Sequence, residues 1–172
     1  MSFSLYAATV PSCLQMLGAL SGLLERAADH CAQAGTPPEA ILRAQLAEDM
    51  HPFAYQVKSA TVHSLGAIEG VRAGLFRPDR SEPPATFDAL GQRMRETIAA
   101  LQAVSPDELE GFIGRDVRFE IGDRHIDFLA EDFLLSFSQP NFYFHVTTAY
   151  DILRANGVPI GKRDYLGRLR KK

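Results

Sequence analysis

Apolar residues in this chain recur three and four positions apart over four long stretches, a spacing that points to amphipathic helices packed side by side. The first stretch runs through Phe3, Tyr6, Val10, Leu14, Leu17, Leu20, Leu24, Ala28 and Cys31, and Gly35 ends it. Pro11 lies inside, so the helix either kinks there or begins there. Thr36-Pro37-Pro38-Glu39 has the form of a capping box and predicts a short connecting helix to about Arg43. A second long helix is expected from near Asp49 and Pro52, with Phe53, Val57, Ala60, Ser64, Ile68, Val71 and Leu75 as its stripe. Residues Arg77 to Pro84 hold three prolines and four charges and read as an exposed loop. The third helix follows Thr86 through Phe87, Leu90, Met94, Ile98 and Leu101, and Ser105-Pro106-Asp107-Glu108 opens one further turn.

The period then drops to two. Val117, Phe119 and Ile121 alternate with Arg118 and Glu120, Gly122-Asp123 makes a turn, and Ile126 and Phe128 flank Asp127. This pattern predicts a β-hairpin. The last helix is expected from about Ala130 to Asn156, kinked near Pro140 and closed by Gly157. It carries two stripes, Asn141, His145, Thr148, Ile152 and Phe142, Val146, Ala149, Leu153. A helix so apolar is covered on most sides, by the hairpin or by a second subunit. The reading is a single domain over residues 1–172, mainly all-α: a four-helix bundle with a small β-hairpin between the third and fourth long helices.

The chain has no Gly-rich phosphate loop, paired CxxC or GxSxG elbow, which excludes nucleotide kinases, zinc ribbons and α/β-hydrolases. Cys13 and Cys31 are 18 residues apart on one predicted helix, too far to bridge, and free thiols fit a reducing compartment. No basic region precedes an apolar stretch at Met1-Ser-Phe-Ser-Leu-Tyr6, and no run approaches the ~20 apolar residues of a membrane span. A soluble, cytoplasmic protein with no membrane partner is expected. The net charge is −3, but residues 161–172 hold six Lys/Arg against one Asp. That basic tail is expected to be solvated, and the acidic remainder argues against a nucleic-acid partner.

Two histidines stand out. His63 lies mid-way along the second long helix at the edge of its stripe, and His145 lies on the last helix, four residues after Asn141. Helical bundles build metal sites from inward side chains on facing helices, and imidazole is a frequent ligand. A hydrogen-bonded core role is the alternative for each. Gln56 and Ser59, seven and four residues before His63, could hold an imidazole N–H or simply line a polar crevice. Tyr143 reads as an acid or as a packing residue.

Residues 140–157, PNFYFHVTTAYDILRANG, resemble the last-helix motif of the DinB/YfiT-like metalloenzyme superfamily. With Ser4-Leu5-Tyr6, the DMHP segment at 49–52 and GKRDYL at 161–166, the chain is similar throughout to one uncharacterised bacterial family of that superfamily. The resemblance implies a divalent metal, zinc or nickel, held by one histidine of the second helix and an H-x-x-x-H pair of the last. His63 matches the first by its place. Arg154 and Gly157, nine and twelve residues after His145, set His145 as the second member of the pair, so the first falls on Asn141. The implied activity is a metal-dependent transferase acting with a low-molecular-weight thiol, on a degenerate His63/Asn141/His145 site. The alternative is a metal-free ligand-binding protein, or a homodimeric interaction or stress protein, on the same bundle.

Overall fold

The computed structural model describes residues 4–171, so Phe3 and Lys172 fall outside it. Helix α1 spans Leu5–Ala34 and runs through Pro11. Ser4 opens it by accepting the Ala7 N–H at 3.1 Å, and Gly35, at φ 63°, closes it by donating to the Cys31 carbonyl. Helix α2, Pro38–Leu42, starts without the expected box: its N-cap is Pro37, which makes no side-chain hydrogen bond. Helix α3, Phe53–Thr61, passes through a π turn, Val62–Gly66, into α4, Ala67–Ala73.

The helix expected to reach Leu75 stops at Gly74, which takes φ 67°, and strand β1, Leu75–Phe76, follows. Gly70 makes this possible, because a Cβ there would stand 2.9 Å from the Phe76 Cβ. Strand β1 pairs parallel with β2, Asp116–Ile121, which pairs antiparallel with β3, Arg124–Leu129. The hairpin is therefore part of a three-stranded sheet ordered β1-β2-β3. Helix α5, Phe87–Gln102, is capped by Thr86, and α6, Pro106–Glu110, by Ser105. After β3 come α7, Ala130–Asp132, a second π turn, Phe133–Ser138, and α8, Gln139–Ala155. Pro140 has no N–H for the carbonyl four residues back, and the π turn just ahead of it takes up that loss where a kink was expected.

The body is mostly helical with this small sheet at its side. Helix α3 packs on α8 and α5, and α1 packs on α5, α8 and α9, Lys162–Leu166. Leu17, Leu20, Leu23, Phe53, Met94, Phe133, Phe142 and Ile152 fill the interior. Each such side chain contributes roughly 1.5–3 kcal/mol by leaving water. Two expectations change here. Helix α1 is long and apolar enough to cross a membrane, although Val10, Leu17, Leu20 and Leu23 are turned into the core. The basic C-terminal segment is not simply solvated: Gln15 donates to the Leu166 carbonyl at 2.9 Å, Arg26 pairs with Asp164 at 3.1 Å, and Arg170 reaches Ser12 at 3.2 Å.

Candidate functional site

Both π turns converge on one place. His63 sits in the first, and Ser138, the last residue of the second, donates its hydroxyl to the His63 carbonyl at 3.0 Å. A π turn shifts the hydrogen-bond ladder to i→i+5, and such turns occur often at functional sites. The packing of α3 on α8 brings His145 alongside, with ring centroids of His63 and His145 5.6 Å apart and planes 19° from parallel.

The hydrogen-bond network sets both tautomers. Gln56 Nε2 donates to the His51 carbonyl at 2.8 Å, which leaves its Oε1 to accept from His145 Nδ1 at 2.7 Å. Ser138 has spent its hydrogen on the His63 carbonyl, so its oxygen accepts from His63 Nδ1 at 3.3 Å. Each ring therefore carries its proton on Nδ1 and keeps a lone pair on Nε2. Burial pushes His63 down to about 4. Burial, then repulsion from His63 and His51, pushes His145 down to about 4. Both imidazoles are neutral at neutral pH.

The surroundings are aromatic. Phe76 and Phe137 lie 5.6 and 5.9 Å from the His63 ring, and Tyr55 and Phe144 lie 6.2 and 5.4 Å from His145. His51 stacks on Tyr55 at 3.7 Å. Phe137 continues into Phe119 of the hairpin, 4.9 Å away. The hairpin thus supplies the wall behind His63.

Of the residues singled out in the sequence, His63, His145 and Gln56 come together. Gln56, expected near His63, holds His145, and the partner of His63 is Ser138, which no helical spacing connects to it. Asn141 turns its amide back on its own helix and donates to the Phe137 carbonyl at 2.7 Å. Ser59 is buried in α3. Tyr143 sits 200° around α8 from His145 by helical geometry; burial pushes its phenol up, and Ser12, of α1, is its hydrogen-bond partner. His51, which stacks on Tyr55 and helps to push His145 down, is a neighbour that the sequence pattern did not single out. Its signal was its place five residues before Gln56.

Among the described residues no three His, Cys, Asp or Glu side chains are grouped to hold a metal ion. Of the three ligands that the resemblance implies, His63 and His145 bring their imidazoles together and Asn141 does not join them. Neither cysteine supplies a thiolate: both are buried, and burial pushes the Cys13 thiol up to about 12.

Residues 5–166 match a family described as Domain of unknown function (DUF1993). A crystal structure of a DinB family member protein from Shewanella denitrificans is similar, with a TM-score of 0.81 and 25% identity over 98% of this chain and 94% of that one. No curated protein matches the chain. The fold and the match over nearly its whole length agree with the resemblance read from the sequence, and the chain belongs to the DUF1993 family, a DinB-like family of unknown function.

Proposed function

We propose that the His63–His145 centre is a metal-free binding site for a small uncharged molecule that carries an O–H or N–H donor on an aromatic body, set in a four-helix bundle of α1, α3–α4, α5 and α8. The observation that carries this reading is the commitment of both Nδ1 hydrogens, to Gln56 and to Ser138, which leaves two Nε2 lone pairs among aromatic rings. An imidazole that ionises near 4 is a poor proton acceptor at neutral pH, because an efficient general base titrates close to the working pH. It accepts a hydrogen bond well but does not strip a thiol of its proton. A thiol transferase at this site would need a metal to acidify the thiol, and among the described residues no three His, Cys, Asp or Glu side chains are grouped to hold one. Binding is the chemistry these residues support.

Thermal-shift and NMR titration with naphthol and with its methyl ether test the reading. Naphthol stabilises the protein, the ether, which lacks the donor, does not, and His63→Phe and His145→Phe lose the response. Elemental analysis after exposure to zinc or nickel is the counter-test. About one metal per chain, lost in both His63→Ala and His145→Ala, would replace this reading with the metalloenzyme one.

A further inference from the structure

We infer that the open groove between α4, β1 and α5 binds a small zwitterion, an α-amino acid with an apolar side chain. The groove has a volume of about 630 Å³ and does not include either site histidine among its lining residues. Val62, Leu65 and Phe76 make its apolar side, while Arg93, Glu96 and Glu69, with Asp79 and with Arg77 already paired to Glu120, carry charge along it. A volume of this size lies within the range of small-molecule sites, roughly 300–1,000 Å³.

The positive arm is built. Lys58 is 1% exposed, and its ammonium is held by the Asp79 carboxylate at 3.2 Å, the Asp79 carbonyl at 2.8 Å, the Ser81 hydroxyl at 3.3 Å and the Ser81 carbonyl. Arg93 shares the same carboxylate at 3.2 Å and donates through Nε to Thr61 Oγ1 at 2.7 Å. Two cations thus stand against one carboxylate. Lys58 is sealed from solvent, so Arg93 is the cation of this trio that reaches the groove: it is 34% exposed and lines it. A guanidinium fixed on two sides keeps N–H groups for a carboxylate at little entropic cost.

The negative arm lies beside it. Glu96 is one helical turn from Arg93 on α5, and Glu69 lines the groove from α4. Glu96 accepts from Gln92, and Arg93 is paired with Asp79. An anion alone would meet these carboxylates, and a cation alone would meet Arg93. A molecule with both charges a few ångströms apart satisfies both arms, and its side chain covers Val62, Leu65 and Phe76.

Calorimetric titration of the full chain with L-leucine, isocaproate (the same skeleton without the amine) and isoamylamine (without the carboxylate) decides the matter. L-Leucine is expected to bind at least about tenfold more tightly than either truncated compound. Glu96→Gln, at an exposed position, keeps the melting temperature, weakens leucine about tenfold and does not weaken isocaproate, whose carboxylate then meets one negative charge fewer. Failure of leucine to bind at about 10 mM would overturn the inference, as would isocaproate or isoamylamine binding as tightly as leucine. Insensitivity of leucine binding to Glu96→Gln in a folded protein would overturn the ammonium arm and with it the zwitterion.

Discussion

Ser138 and His63 meet twice: the serine hydroxyl donates to the histidine carbonyl at 3.0 Å and lies 3.3 Å from the Nδ1 of the same residue. One residue from each π turn thereby joins the two helical rods and fixes a tautomer. Ser138→Ala leaves a carbonyl and an N–H without their partner, and a loss of about 1–3 kcal/mol is expected. Urea unfolding measures it. An alanine variant as stable as the parent would show that the two π turns are held by packing alone.

Gln56 sets the protonation of His145 by offering an oxygen to Nδ1. In Gln56→Glu the same position carries a negative charge, which favours the imidazolium. The His145 titration, followed by NMR, is then expected to rise from about 4 by about 1–3 pH units. His63, held by Ser138, should move much less. Equal movement of both rings would mean that the two imidazoles titrate as one group.

Acid sensitivity follows from the same pair. Both histidines ionise near 4 in the folded protein, below the ordinary value of 6.5 that the unfolded chain takes. Between those values the unfolded chain binds more protons, so stability falls as pH drops from about 6.5 to about 4. Above and below that window this pair contributes no slope. Denaturant midpoints across the window measure the slope, and His145→Asn is expected to flatten it. An unchanged slope in that variant would place the acid sensitivity elsewhere.

Lys58 ties the Arg77–Pro84 loop to α3. Burial alone would raise the Asp79 carboxyl, but the Ser81 hydroxyl and N–H, then Lys58, outweigh it and hold that carboxyl well below the ordinary carboxylate value. Lys58→Met keeps the apolar stem and removes the donor from two loop carbonyls. Removing one member of a buried pair costs about 3–5 kcal/mol, and the lower end applies because Asp79 is 29% exposed and keeps Arg93. Limited proteolysis should find the loop cut sooner. A loop that stays as resistant as in the parent would sink the clamp.

Periodicity exposed α1 and α5 because each buries one face at a regular spacing. The hairpin alternates in the same way, although only Val117 is buried there, with Phe119 and Phe128 half-buried and Ile121 and Ile126 exposed. Strand β1 was hidden: Leu75 falls in register with the helical stripe of Val71, and only Gly74 at φ 67° takes it out of the helix. Lys58 was hidden because a lysine on a helix usually reaches water, and the loop oxygens that cage it lie 21–23 residues away. The site was half legible. Helical position picked out His63 and His145, but Ser138 is 75 residues from His63 and Gln56 is 89 from His145, pairings that only the packing of α3 on α8 creates. The C-terminal segment read as solvated because its charges conceal Leu166 and Gly167, the residues that rest on α1.

Gly167 closes α9 at φ 59°, ψ −145°, a conformation open in practice only to glycine. A Cβ there would also stand 2.9 Å from the Ala19 Cβ on α1, a helix that cannot give way without moving the core. Gly167→Ala therefore meets two costs, backbone strain of about 1–3 kcal/mol and the clash with Ala19. Gly35→Ala removes the clash from the comparison: φ 63° and ψ 23° place it in the left-handed helical region, which strains an alanine less, and nothing lies within 4 Å of the added carbon. The first variant should release the segment from α1, seen as faster amide exchange across Lys162–Leu166, while the second shortens the protection of the α1 terminus only. Unchanged exchange across Lys162–Leu166 in Gly167→Ala would mean that neither the backbone strain nor the close approach to Ala19 governs how the segment is held.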